Sequence, residues 1–337
     1  DREILFRNYW YRSGTSETMR AALKDVADEA MGRVELKFAD IVLDIGSNDG
    51  TLLNFFRANV QVRTVGFDPC GTPSLPWDHS EWYECDFFSA ARYKNFYPEK
   101  ASIITALAMF YDLDDPRKFL ADVRDCLADD GLFIIQQNDR DIMVRDLTYD
   151  NIGFEHLCYY DVPQMRGLAR AAGLRCFEAT YNEVNGGCHR LFFKRDQPEL
   201  VQSSYITFGL SAFATQVKSQ SIRIGTYLSD LVQDGKIIYA LGASTRGLTI
   251  LQSQQIDSSM IKAAVDRDPR KVGRIYGATG IPIISEEQFR KDRPDYALVL
   301  PYYYFDQIRR REDAYVQAGG KLIVPLPELR VIEKVRA

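Results

Sequence analysis

Two short stretches of this chain carry residue types that could do chemistry. Residues 44–50 read DIGSNDG, an acid followed by glycines at 46 and 50. Glycine lets a backbone turn tightly off a strand end and lets a ligand approach with no Cβ in the way. A helix starting there offers free N–H groups. Residues 153–160 read GFEHLCYY, which sets Glu155 beside His156 and follows them with Tyr159 and Tyr160. A neutral imidazole, with an ordinary pKa of about 6.5, can take a proton near neutral pH. The same letters also suit a half-buried turn with its tyrosines in the core. For an isolated histidine in an apolar stretch that plainer reading is favoured, so what the rest of the chain brings near His156 decides.

The glycine turn is the more informative of the two. A dinucleotide site would show G-x-G-x-x-G, so that a pyrophosphate can rest on the helix that follows. Here Asn48 stands where the related acid-x-G-x-G-x-G pattern has its second glycine, and Asp44 precedes Gly46. An acid at that point repels a pyrophosphate but suits the cationic amino-acid end of S-adenosylmethionine (SAM). Asp68 ends the next strand, where an acid binds both ribose hydroxyls. Asp86, in ECDFF, is placed to accept a hydrogen bond from the adenine amino group, and Ala108, in ASIITALAMF, is grouped with the cofactor set. Each acid alone is more often a turn former. The ordered series Asp44, Gly46, Gly50, Asp68, Asp86 reads as a SAM site.

The elements around these residues alternate between strand and helix. Residues 16–31 have apolar positions at helical spacing with Ser16 as N-cap. ADIVLDIG reads as a strand leading into a turn and helix, VRTVGFDP as a second strand, and residues 101–110 as an apolar one. PRKFLADVRDCLADDG reads as a helix closed by Gly131, followed by the strand LFIIQQND. After residue 196 a second αβ series begins: a long helical stretch at 201–234, then GKIIYALGASTRGLTILQ, IKAAVDRDPRKVG, DYALVLPYYYF and KLIVPLPEL. The expected class is α/β: a helical connector at 1–34, a Rossmann-like class I SAM domain at 35–196, and a second Rossmann-like domain at 197–337.

Composition narrows the function. At 337 residues the natural prior is two domains of about 150 residues. The net charge of −5 argues against a nucleic-acid surface, which needs clustered Lys and Arg. The six cysteines form no CxxC pair and have no neighbours at zinc-ligand spacing, so no metal is expected. Scattered single thiols, with no apolar run of about 18 residues and no signal peptide, read as a reduced, cytoplasmic protein.

Six motifs together resemble the sugar C-methyltransferases, which add a methyl group from SAM to nucleotide-linked keto-deoxysugars. They are YWYRSGTSETM (9–19), DIGSNDGTLL (44–53), MFYDLDDP (109–116), YDNIGFEHLCYY (149–160), EVNGGCHR (183–190) and GASTRGLTIL (242–251). The resemblance runs over essentially the whole chain. It implies a SAM-binding domain followed by a Rossmann-like domain that helps hold the nucleotide sugar. In that family a four-cysteine zinc module comes first. It has no counterpart here, and a chain opening on Asp1 is expected to have lacked or lost such an upstream segment. Many members read YHEH where this chain has GFEH, a histidine where it has Asp112, and HGGS where it has Asn185-Gly186-Gly187-Cys188.

The resemblance gives His156 a role. Methylating the carbon beside a ketone needs a base to remove that carbon's proton and donors to hold the enolate. His156 is the expected base, Glu155 its orienting partner or a sugar contact, and Tyr9, Tyr11, Tyr159 and Tyr160 the candidate donors. Tyr111 and Asp112, at the end of an apolar strand, are expected at the substrate or the methionine end. Asn185, His189 and Arg190 are substrate candidates, with a β-bulge and strand as the equal alternative for HRLFFK. Ser244 and Arg246, in GASTRG, could cradle a pyrophosphate. Tyr302, Tyr303 and Tyr304 could stack on a base or cover an interface. His79 is expected at the surface. Three rivals stay open: an O- or N-methyltransferase on a related sugar, a nicotinamide-dependent sugar oxidoreductase, and a non-catalytic nucleotide-sugar carrier.

Overall fold

Ile41, Leu43 and Ile45 of strand β1 (Ile41–Ile45) face one apolar layer and Val42 the opposite one, all of them buried. A strand covered on both faces belongs at the centre of a parallel sheet. The computed structural model that shows this describes residues 2–9, 11–59, 61–70, 81–199 and 209–334. Around β1 lie β2 (Arg63–Phe67), β3 (Glu81–Glu84), β4 (Ala101–Leu107), β5 (Leu127–Asn138), β6 (Leu174–Asn182) and β7 (Cys188–Arg195). The order is β3-β2-β1-β4-β5-β7-β6, with β7 antiparallel to both its neighbours. That is the class I SAM methyltransferase arrangement. The strand order reverses between β1 and β4, so a crevice is expected at the carboxyl ends of those strands.

Helices α1 (Arg2–Phe6), α2 (Glu17–Met31) and α3 (Thr51–Arg57) open this unit, with α4 (Ala90–Phe96), α5 (Pro116–Cys126) and later α7 (Val162–Ala171). Ser16 caps α2 by accepting the Met19 N–H, as its position before the apolar run predicts. Val26, Ala27 and Ala30 of α2 pack with Leu52, Leu53 and Phe56 of α3 on one sheet face, while Tyr93, Leu120, Val123, Met165 and Ala169 cover the other. Helix α5 stops at Cys126, short of the expected Gly131. Leu127 is fully buried and pairs with Ala101, which pulls the chain into extended backbone before a bulge leads on to Leu132.

The second unit has its own sheet: β8 (Ile238–Leu241), β9 (Ala263–Val265), β10 (Ile283–Ile284), β11 (Tyr296–Val299), β12 (Lys321–Val324) and β13 (Arg330–Ile332). The order is β10-β9-β8-β11-β12-β13, parallel except for β13. Its helices are α8 (Leu210–Gln233), α9 (Thr245–Ser253), α10 (Glu286–Asp292), α11 (Phe305–Arg311) and α12 (Asp313–Gln317). Positions 201–208 of the helical stretch expected at 201–234 lie outside the described residues. Contacts divide the chain into Asp1–Arg140 with Glu155–Tyr205, and Asp141–Phe154 with Ile206–Ala337. Segment 141–154, assigned from sequence to the SAM domain, therefore groups with the second unit and brings most of α6 (Arg140–Arg145) with it. Its Tyr149 hydroxyl accepts a bond from Gln254, and its Asp150 is bonded to Arg246 and Tyr302. Among the described residues, no helix is long and apolar enough to cross a membrane.

Candidate functional site

The glycine turn sits at the carboxyl end of β1. Gly46 and Gly50 adopt φ of +76° and +75°, and Asn48 between them +51°, so the turn runs through left-handed backbone at three places. At Gly46 an added Cβ would also meet Met109 at 3.1 Å. Gly50 starts α3 as its N-cap. Asp44 is 4% exposed and accepts the Thr105 hydroxyl at 2.7 Å. Burial pushes its carboxyl up to about 7; the Thr105 bond opposes this and the charge of Asp68 adds to it. Asp68 follows β2 and is held by two backbone N–H groups, Asn48 at 2.9 Å and Cys70 at 2.8 Å. Burial raises its pKa as well, against those two bonds and the charge of Arg12. Ala108, at φ +52°, hangs its N–H on the Gln136 carbonyl just past β4.

An unforeseen feature is the segment lying across this turn. Ser13 N–H donates to Asn48 Oδ1 at 3.0 Å, and Asn48 Nδ2 donates to the Tyr11 carbonyl at 3.0 Å. Gly14 N–H reaches Asp49 Oδ2 at 2.8 Å, and the Cys70 thiol donates to the Tyr9 carbonyl at 2.8 Å. Residues 11–14 are thereby anchored to the SAM-type turn, and Tyr9 is held beside it through Cys70. The phenol of Tyr9 is raised above its usual range, first by burial and then by the charges of Glu155, Asp112, Tyr11 and Asp68. Tyr9 thus has both Asp68 and the Glu155 loop as electrostatic neighbours. A second acid inside the turn, Asp49, was the available sequence signal for this anchoring.

His156 lies on the same unit, half-buried, with its ring centroid 4.2 Å from that of Tyr111 and 6.2 Å from Tyr159. The Tyr111 carbonyl accepts the N–H groups of Leu157 and Cys158 at 3.0 and 3.1 Å, which zips the two loops together. Asp112 is pushed up to about 8, by burial first and by the charge of Glu155 second. Glu155 is raised too, by burial. Tyr159 is raised by burial, then by Glu155 and Asp112. Tyr160 instead packs into the core against Phe110.

Several other candidates are engaged elsewhere. Asp86 is tied to Arg7 at 2.9 Å and Arg92 at 2.6 Å; against the pull of burial, the Phe87 N–H and then these two arginines keep its pKa low, so it stands as an ion-paired carboxylate. His189 is fully buried on β7 with Nδ1 2.9 Å from Asp139. Arg190, 2% exposed, bonds Gln136 at 2.7 Å, Glu29 at 2.8 Å and Asp25 at 2.9 Å, and so fastens α2 to the sheet. The substrate contacts expected of these two residues are replaced by internal ones, because β7 lies inside the sheet. Asn185 sits at φ +52° in a turn, its carbonyl bonded by Asn138.

In the second unit, Ser244 caps α9 through the Gly247 N–H. Arg246 pairs with the fully buried Asp150 at 2.6 Å and lies 4.3 Å over Tyr303, so its charge is already neutralised and does not stand open to a pyrophosphate. The Tyr276 hydroxyl donates to the Ser244 carbonyl, and Asp266 is occupied by the Ala243 N–H and Lys271. Tyr302 is buried and its hydroxyl donates to Asp150. His79 lies outside the described residues.

The first turn suits SAM on the chemistry of its donors. The causes acting on Asp44 are burial, Thr105 and Asp68, none of them a cation, and a cationic ligand end would return it to the charged form. Asp68 is fixed in orientation with lone pairs to spare.

Residues 12–179 match the family described as methyltransferase domain, and residues 199–327 that described as C-methyltransferase C-terminal domain. The chain is 26% identical over 354 aligned positions to the C-methyltransferase NovU of Streptomyces niveus, spanning 98% of this chain and 82% of that protein. Solved structures similar to it include the cyclopropane synthase MmaA2 of Mycobacterium tuberculosis (16% identity, 53% of this chain and 72% of that one, TM-score 0.39). Another is the N-methyltransferase NodS of Bradyrhizobium japonicum (13% identity, 53% and 96%, TM-score 0.39). The order of the two matched domains, on a sheet of class I order, shows that the chain belongs to the C-methyltransferases and is a SAM-dependent methyltransferase.

Proposed function

We propose that this C-methyltransferase acts on the carbon next to the ketone of a nucleotide-linked 4-keto deoxysugar, through an enolate formed by His156. The observation that carries the reading is the contact between the His156 and Tyr111 rings, centroids 4.2 Å apart and planes inclined at 45°, beside Asp112 and Glu155, with Tyr9 linked electrostatically to both this loop and Asp68. A proton acceptor, phenol donors and the proposed cofactor turn are then parts of one neighbourhood. Gly46, Asn48, Gly50, Asp44, Asp68 and Ala108 are the proposed SAM contacts.

SAM supplies, when bound, an electrophilic methyl group for the carbanion. His156 removes the proton from the carbon beside the ketone, and the C–H electron pair moves into the enolate. Hydroxyls of Tyr9, Tyr11 and Tyr159 donate to the developing oxyanion. Glu155 orients the ring and balances the imidazolium. When the ketone re-forms, His156 passes its proton to water. The C-terminal domain (197–337) helps hold the nucleotide sugar, with Ser244 as a candidate contact.

The test is mass spectrometry of protein, SAM and a panel of nucleotide-linked 4-keto deoxysugars in heavy water. The expected product is heavier by one methyl-for-hydrogen exchange, and recovered substrate carries deuterium beside the ketone. His156→Ala should lose both while still binding SAM. Methylation at the wild-type rate by that variant overturns the base assignment. A methylated product with no carbon exchange moves the acceptor to oxygen or nitrogen.

A further inference from the structure

Asp112 and Glu155 raise a question that the assignment of His156 leaves unanswered. Asp112 Oδ1 and Glu155 Oε2 are both covered from solvent, and neither has a hydrogen-bond partner. The loops bearing them are zipped by the Tyr111 carbonyl, and the rings of the neighbouring pair, Tyr111 and His156, lie 4.2 Å apart at an inclination of 45°. A carboxyl in a covered site that feels the charge of a second one resists ionising near neutral pH. Burial and then the charge of Glu155 push Asp112 up to about 8, so Asp112 is the member that keeps a proton near neutral pH. The titratable groups around the pair are Tyr9 and Tyr159, both raised above their ordinary range and therefore neutral donors, with Tyr11 and Asp68 beyond Tyr9 and His156 alongside.

We propose that Asp112 and Glu155 form a singly protonated pair whose Asp112 O–H donates a hydrogen bond to the ketone oxygen of the substrate, which makes Asp112 a further catalytic residue of the enolisation. The inference rests on the reading of His156 as base. A neutral carboxylic acid adds no negative charge where an oxyanion develops, and it is a stronger donor than a phenol. The proton inventory is simple: the substrate carbon gives one proton to His156, and Asp112 keeps its own throughout. Glu155 stays ionised beside the imidazolium that forms. Above the point where Asp112 loses its proton, the site gains a charge that opposes enolate formation.

The pair can be tested without any substrate. In protein labelled with carboxyl-13C aspartate, the Asp112 resonance is identified by its loss in Asp112→Asn. Its titration midpoint is expected near 8 and should fall by at least about one unit in Glu155→Gln, since that change removes the neighbouring charge but leaves the burial. A midpoint in the ordinary carboxylate range, or one that Glu155→Gln does not move, overturns the pair.

Turnover of a nucleoside-diphosphate 4-keto-6-deoxyhexose then tests the donation. Asp112→Ala should lose about 100-fold in kcat with KM changed far less. Asp112→Asn, which keeps an N–H donor, should lose less than about tenfold and also lose the alkaline fall in rate. Equal losses in the two variants, or a wild-type rate in Asp112→Ala, overturn it. The base assignment fails separately: if His156→Ala still exchanges deuterium into the substrate, that reading is wrong whatever Asp112 does. If exchange stops in His156→Ala while Asp112 titrates normally, the pair alone is wrong.

Discussion

Replacing Asp44 with asparagine sets the stability of the proposed SAM turn against its function. The carboxyl is 4% exposed, bonded to Thr105 at 2.7 Å, and pushed by burial from 3.8 up to about 7. Its folded-state pKa is raised, so between pH 4 and 7 the unfolded chain releases a proton that the folded chain keeps. Stability therefore falls as pH rises through that window and levels off above it. A shift of about three units at about 1.36 kcal/mol each sets a ceiling of about 4 kcal/mol held against the folded state at pH 8.

The Asp44→Asn side chain carries no charge and keeps an acceptor for Thr105, so the variant should be more stable than wild type at pH 8 by up to that amount, and level with it near pH 4. Asp112 titrates in both proteins and cancels in the difference, while the repulsion between Asp44 and Asp68 goes with the Asp44 charge and is already part of its shift. The same change removes the anion facing the cationic end of SAM, and affinity should fall about tenfold, or about 1.4 kcal/mol. Urea unfolding from pH 4 to 8 and calorimetric titration with SAM at pH 8 measure the two. A variant less stable than wild type at pH 8, or a difference independent of pH, would refute the reasoning.

Other expectations follow from the internal ion pairs. Arg190→Met removes one donor each from Glu29, Asp25 and the buried Gln136, and should cost about 2 kcal/mol of stability while SAM affinity stays within a few-fold of wild type, by denaturation and calorimetry. A large loss of SAM affinity would show that Arg190 also supports the cofactor turn. Arg246→Met strips the counter-ion from the fully buried Asp150 and should destabilise by about 3–5 kcal/mol at pH 8. The loss should shrink towards pH 5, because Asp150, already raised by burial, can then take a proton. Equal losses at the two pH values would show that the pair is not what holds that region.

The parts of this protein legible in its sequence are those set by near neighbours along the chain. Strand β1, its glycine turn and α3 follow from an apolar run, two glycines and a helix-forming stretch. Ser16 before an apolar periodicity announces α2. The chain order of acids after successive strands marks a SAM methyltransferase, because strand ends in such a sheet gather on one edge. Even there the local signal erred where a distant contact intervened: α5 yields at Leu127 because that side chain pairs with Ala101 in the sheet core.

Which charged groups stand open and which are spent internally was decided by tertiary structure alone. EVNGGCHR and GASTRG read equally well as ligand loops or as framework. Arg190 finds its partners 165 and 161 residues away in α2, and Arg246 finds Asp150 at a separation of 96. Tyr9 reaches the Glu155 loop because Ser13 and Gly14 bond to a turn 35 residues further on. The amino-acid sequence determines which groups can ionise, donate or turn. A buried charge must find its partner in space, and the partner chosen by the fold determines whether that charge remains for a ligand.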